Sequence, residues 1–179
     1  HKGKTTIAFI TDMPAHSYCV FDVNAGESTG QTGTQLRVTE NTLENERYTV
    51  SLNENGDIGS IYDKEIGKEL LSSPVVLGIF DNYAGGWFYP AWEIRYKQSI
   101  RNHNRIAKLV KSRVIEEGPA KCTIQVVQQC DDSVFTNNIS LSAGSDMVEV
   151  QCEFEWNSQR TLCKNVFSFS CSNKEATFD

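Results

Sequence analysis

LENERYTVSLNENGDIGSIYDKEIGKELL, residues Leu43 to Leu71, reads as two strands joined by a polar turn. Tyr48, Val50 and Leu52 alternate with Thr49 and Ser51, the period of a half-buried strand. Asn53-Glu54-Asn55-Gly56-Asp57 breaks that pattern, and Asn and Gly adopt positive φ at little cost, so the break predicts a hairpin connection. On the return strand the alternation predicts Ile58, Ser60 and Tyr62 on one face, with Gly59 and Ile61 on the other. Asp63 to Lys68 makes a second turn before Glu69-Leu70-Leu71. A hairpin with one apolar face needs further strands beside it to be stable, so the rest of the chain should supply them.

It does. Val75 to Phe80 is a strongly apolar strand after Ser72-Ser73-Pro74. Ile106 to Ile115 and Ala120 to Gln129 read as a second pair, turned by Glu116-Glu117-Gly118-Pro119. Asp131-Asp132-Ser133 turns into Val134 to Leu141, and Ser142 to Asp146 turns again. Val148, Val150, Cys152, Phe154 and Trp156 then alternate with Glu149, Gln151, Glu153 and Glu155, which predicts one dry face and one wet, acidic face. Thr161 to Cys171 alternates through Phe167, Phe169 and Cys171. Evenly spaced strands without a sustained 3.6-residue period predict an all-β antiparallel sandwich. Upstream, Thr5 to Val23 predicts two short strands around Asp12-Met13-Pro14-Ala15. Asn24 to Gly33 is rich in Gly, Ser and Thr and is the best linker. The domain reading is therefore a small β-unit and linker over 1–33, followed by the sandwich over 34–179.

The 179 residues suffice for one domain with a real core. A formal net charge of −6 without a basic stripe argues against nucleic acid and anionic membrane surfaces as partners. No apolar run approaches the roughly 20 residues of a membrane-spanning helix. The chain begins at His1 without a basic-then-apolar leader and reads as an internal fragment. Six cysteines lack short paired spacings and are expected to be reduced, which points to a cytoplasmic parent. The sequon Asn138-Ile139-Ser140 keeps a secreted or lysosomal location as the alternative.

The opening stretch, with its Leu-Glu-Asn-Glu entry, Tyr48-x-Val50, the Gly56-Asp57-Ile58-x-Ser60-Ile61-Tyr62-Asp63-Lys64 return and Gly67-Lys68-Glu69-Leu70-Leu71, resembles glycoside hydrolase family 38 where its C-terminal β-domain begins. Glu116-x-Gly118-Pro119, Trp156-Asn157 and Leu162-x-Lys164-x-x-Phe167 extend the resemblance, and a partial Pro14-Ala15-x-x-Tyr18 match carries it upstream. It implies a large sandwich of the galactose-mutarotase-like kind, with completing strands beyond Asp179. It implies a zinc-dependent retaining α-mannosidase as the parent, with this piece bracing the catalytic and helical domains. Mannose-containing glycans would be the substrate.

Retaining glycoside hydrolysis needs two carboxylates about 5–5.5 Å apart. Asp131-Asp132 and Glu116-Glu117 sit at turns, where solvated acids are the ordinary outcome, and Glu153 and Glu155 line a wet strand face. The family takes zinc from a His-x-Asp pair, the nucleophilic Asp and a later His, and none of these motifs occurs here. His1, His16 and His103 are scattered. No catalytic residue and no metal ligand is therefore assigned; Zn2+ is expected upstream, and this chain alone is expected to be inactive. Gly-x-Ser-x-Gly elbows and phosphate loops are missing too. One stretch suits sugar. Residues 81–92 hold Asp81, Tyr83, Trp87, Tyr89 and Trp92, rings that can stack on a sugar face beside a carboxylate. Ala91-Trp92-Glu93-Ile94 matches a family stretch that faces the catalytic domain, with Glu for Asp. The usual fate of clustered aromatics is packing, which competes with contact at the substrate rim. A stand-alone carbohydrate-binding sandwich is the alternative function, and a mutarotase-like epimerase would need a His pair that the chain does not offer.

Overall fold

The computed structural model describes residues 6–24, 26, 35–81, 105–173 and 175, and all strand pairing among them is antiparallel. The opening hairpin is the centre of a five-stranded sheet in chain order: β1 (Arg37–Val38), β2 (Thr42–Glu44), β3 (Tyr48–Leu52), β4 (Ile58–Asp63) and β5 (Lys68–Glu69). The chain then runs through β6 (Leu71–Asp81) and β7 (Arg105–Ile106). A four-stranded meander follows, from β8 (Lys108–Glu117) through β9 (Lys121–Cys130) and β10 (Ser133–Ser142) to β11 (Val148–Glu155). Finally β12 (Thr161–Phe169) returns to the free edge of β6, giving a three-stranded sheet ordered β12-β6-β7. This is the all-β antiparallel sandwich the alternation predicts.

The main core lies between the hairpin sheet and the meander. Leu43, Val50 and Ile61 face Ile124, Val126 and Leu141, all nearly or fully buried. A second cluster gathers Leu77, Ile79, Ala107, Cys130 and Phe135, with Trp156 edge-on to Phe135 at 6.1 Å. Ala107 is where one strand changes sheets: β7 pairs with β6, and β8, starting one residue later, pairs with β9. The single strand expected from Ile106 is therefore split, because Ala107 N bonds Leu77 O instead of continuing either ladder.

Three expectations change. Leu52 pairs with Ile58 but Ser51 pairs with Ser60, so Gly59 is the extra residue of a bulge. The bulge shifts the phase by one, and Ile58 and Ile61 share the buried side while Tyr62 is 42% exposed. Second, the described part of the N-terminal stretch, residues 6–24, contains no strand. Every one of these residues is exposed; a turn at Ala15-His16 brings Phe9 and Phe21 to 4.8 Å, but no neighbouring strand pairs their backbone. The proposed division at 33 falls outside the described residues. Third, the dry face of β11 is dry only at its start. Val148 and Val150 pack on the core, whereas Cys152 is exposed and Phe154 is 65% exposed, because β11 is an edge strand whose far end is separated from β12 by a gap.

Polar residues of the opening stretch lock the layers together. Asn45, fully buried, donates to Ser142 O (3.0 Å) and Ser145 O (2.9 Å) and accepts from the N–H groups of Arg47 and Tyr48. Glu46 accepts from Gly144 N at 2.9 Å. At the hairpin turn Gln128 Nε2 donates to Asp57 Oδ1 (2.9 Å), and Asn55 Nδ2 donates to Asp57 Oδ2 (3.0 Å). Such groups must be satisfied when buried, so their partners fix how the hairpin seats on the meander.

Candidate functional site

Asp81 ends β6 and Arg105 begins β7, so the two ends of the intervening segment are held together by the β6–β7 ladder, Ile79 opposite Arg105. Arg105 Nη2 donates to Asp81 Oδ1 at 2.8 Å, and Nη1 pairs with Asp131 Oδ2 from the β9–β10 turn. On the other flank of β6, Thr161 opens β12 directly opposite Asp81. The chain between β11 and β12 completes the rim. Asn157 donates from Nδ2 to Asp132 O (3.0 Å) and from its backbone N to Ser133 Oγ (2.9 Å), while Ser158 Oγ lies 3.0 Å from Ser133 Oγ. Together these elements line an open, polar cleft of ≈ 440 Å³.

Two rim residues carry left-handed backbone, Asp131 (φ 51°) and Arg160 (φ 51°). For Asp this is ordinary in a two-residue turn; for Arg it is uncommon. Asp132, Gln159 and Arg160 line the cleft with no hydrogen-bond partner for their side chains among the described residues. Thr161 Oγ1 is buried and likewise has no partner. The cleft therefore combines a structural frame (Asp81, Arg105, Asp131) with exposed polar side chains at its rim.

Of the residues singled out in the sequence, Asp81 is in this cleft and ion-paired; Tyr83, Trp87, Tyr89 and Trp92 lie outside the described residues. Arg105 lies in a polar stretch of the sequence, and Asp131-Asp132 read as solvated acids at a turn. Arg160 carried no signal beyond its place in a turn.

The carboxylates with displaced titration all lie in the hairpin sheet, away from this cleft. Backbone donation from Gly144 leads in holding the Glu46 carboxyl below its ordinary value. Burial works to raise Asp63, but Arg47 and the N–H groups of Ile66 and Glu65 outweigh it, and the net shift is downward. Burial likewise opposes Glu69, and donation from Ser60, Leu71 and Ile61 prevails. A glycosidase acid must instead be raised so that it carries a proton near neutrality. These three acids are structural. Among the described residues no three His, Cys, Asp or Glu side chains gather to hold a metal ion.

Fold and cleft together define a β-sandwich that carries a polar cleft. The chain belongs to glycosyl hydrolase family 38: the family model described as "Glycosyl hydrolases family 38 C-terminal domain" matches residues 43–179, from the first core residue of the opening stretch onward. It is thus part of a glycosyl hydrolase of that family. No curated protein matches the chain.

Proposed function

We propose that this chain is the non-catalytic β-sandwich portion of a zinc-dependent retaining α-mannosidase, an enzyme that removes terminal α-linked mannose. The observation that carries the reading is the family match over residues 43–179. Its support from chemistry is the direction of the carboxylate shifts: Glu46, Asp63 and Glu69 are all held in the ionised form, the wrong state for an acid that protonates a leaving group. In this reading the zinc is held by a catalytic domain elsewhere in the parent, and no His, Cys, Asp or Glu cluster among the described residues competes for it. In this reading the sandwich braces that catalytic domain and its helical neighbour, and the end bearing Asp81 faces mannose-containing glycans. A cytoplasmic parent fits the buried, reduced Cys122 and Cys130.

The polar cleft favours one second reading, a carbohydrate-binding sandwich without a catalytic partner. Hydrolysis of a chromogenic α-mannoside separates the two. The full-length gene product and this chain are assayed side by side, each with and without a zinc chelator. The expected result is activity in the full-length protein alone, abolished by chelation. Turnover by this chain alone, or a full-length protein silent on mannosides, would overturn the mannosidase reading.

A further inference from the structure

We propose that Cys152 of β11 and Cys163 of β12 form a reversible dithiol pair, a modification site that a small-molecule disulfide such as oxidised glutathione converts to a bond between the two strands. β11 is the outer strand of the meander and β12 the outer strand of the three-stranded sheet, so each is paired on one side only among the described residues. Between them lies a largely apolar gap of ≈ 180 Å³, lined from β11 by Cys152 and Phe154 and from β12 by Cys163 and Asn165. Side chains already meet across it, since Asn165 Nδ2 stands 3.8 Å from Cys152 Sγ. Cys163 lies two residues before Asn165. Both are paired in regular register with β6, opposite Ile79 and Leu77, and so share one face of β12. The thiol of Cys163 is therefore the next group along from the one Cys152 touches. A disulfide needs Cα atoms within about 7 Å, and two strands each held on one side can close to that span.

The two thiols stand in different surroundings. Cys152 is exposed and open to a reagent in solution. Cys163 is partly buried against the cluster of Leu77, Ile79, Cys130 and Phe135. Burial first, then the neighbouring thiols of Cys130 and Cys152, push it up to about 11. It is thus shielded from outside reagents, yet adjacent to any adduct formed on Cys152. The exchange balances in two steps. Cys152 loses its proton and attacks one sulfur of oxidised glutathione, expelling the other as glutathione thiolate and leaving a mixed disulfide. Cys163 loses its proton and attacks the Cys152 sulfur, expelling the second glutathione. The S–S bond of the oxidant is replaced by one in the protein, and the two glutathione thiolates take up the two protons. A thiol of high pKa is scarce as thiolate but a strong nucleophile once ionised, and here it acts within one molecule.

Disulfide mapping of the native chain tests the proposal. The reduced chain is incubated with oxidised glutathione at mildly alkaline pH, quenched with acid, and digested without reduction at Lys, Arg and Glu. Those cuts place Cys152 and Cys163 on separate short peptides, apart from Cys130. Mass spectrometry should find the Cys152–Cys163 link at least about tenfold above any other pairing, because proximity raises the effective concentration of the second thiol. Dithiothreitol should remove it. Cys163→Ser should instead retain glutathione on Cys152, and Cys152→Ser should leave Cys163 as the free thiol. Glutathione held on Cys152 of the unsubstituted chain without the link would overturn the proposal. So would a dominant link from either residue to Cys130, Cys19 or Cys171, or a yield of the link no higher in the native chain than in urea.

Discussion

Gly56 is the sharpest test of how the opening hairpin is seated. It has φ +77°, and a Cβ built there would stand 2.6 Å from Val126 Cγ1 and 2.9 Å from Leu109 Cδ1. Leu109 lies partly in solvent and can swing away, but Val126 is fully buried between β8 and β10. Gly56→Ala therefore incurs two penalties. Left-handed backbone costs an L-residue about 1–2 kcal/mol, and overpacking against a fixed core residue costs about 1–3 kcal/mol. Their sum is about 2–5 kcal/mol of unfolding free energy. Gly67→Ala and Gly144→Ala isolate the first penalty. Gly67 has φ +63° with only Tyr62 Oη at 3.8 Å, and Gly144 has φ +68° with nothing within 4 Å. Each should cost about 1–2 kcal/mol. Urea unfolding followed by circular dichroism reads all three from the midpoint and slope. In a Val126→Ala background the extra cost at Gly56 should largely vanish, since the obstructing methyls are gone. A Gly56→Ala cost within about 0.5 kcal/mol of Gly67→Ala, or no coupling to Val126→Ala, would refute the close approach of hairpin and meander.

Three further outcomes follow from the same structure. Asn45→Ala strands the N–H groups of Arg47 and Tyr48 and the carbonyls of Ser142 and Ser145, and should cost more than about 2 kcal/mol in urea unfolding; Asn45→Asp keeps the acceptor only and should not restore stability. The folded-state carboxyls of Glu46, Asp63 and Glu69 sit below their ordinary values of 4.5, 3.8 and 4.5, so the unfolded chain binds more protons. Their stabilisation is full above those ordinary values and is lost as pH falls through the depressed ones; the urea midpoint should drop between pH 5 and pH 2 (a span of about 3 units) and drop less in Asp63→Asn. Alkylation of the native chain at neutral pH should label the exposed Cys19, Cys152 and Cys171 quickly. Cys163, pushed up to about 11 chiefly by burial, and the buried Cys122 and Cys130 should react only after denaturation, as mass spectrometry will show.

Local pattern carried most of the fold. The strands and turns of the opening hairpin and of the meander are written in alternation and in Asn, Asp and Gly at the bends, because both are short-range properties. What the pattern hid is long-range. The bulge at Gly59 inverts the facing of every residue after it, and its only trace in the sequence is a glycine inside a strand. Ala107 changes sheets inside the stretch from Ile106 to Ile115 that reads as one strand, a switch that periodicity cannot mark. The alternation of β11 is real, yet it states only which residues share a face, not how fully that face is covered; Phe154, across a gap from Cys163 and Asn165 of β12, stays 65% exposed. The N-terminal residues 6–24 fail for the same reason in reverse: they alternate but pair with no neighbour.

The candidate site was less legible because its parts come from four places in the chain and each looks ordinary alone. A turn with two acids, an arginine in a polar stretch and a polar loop after Trp156 are common features of any β protein. Their meaning comes from the Arg105 ion pairs and from Thr161 lying opposite Asp81, both tertiary facts. The residues that identify the family behave in the opposite way: Asn45, Asp57, Asp63 and Glu69 are distinctive in sequence, and every one is occupied by structural hydrogen bonds. A side chain already saturated by its own fold has little left for a ligand, whereas Asp132, Gln159 and Arg160 stand exposed at the rim. Substitutions in the first group should therefore move the unfolding midpoint, and substitutions in the second should leave stability within about 0.5 kcal/mol. If Asn45→Ala left the unfolding midpoint unchanged, or Gln159→Ala unfolded the chain, that division between frame and exposed rim would fail.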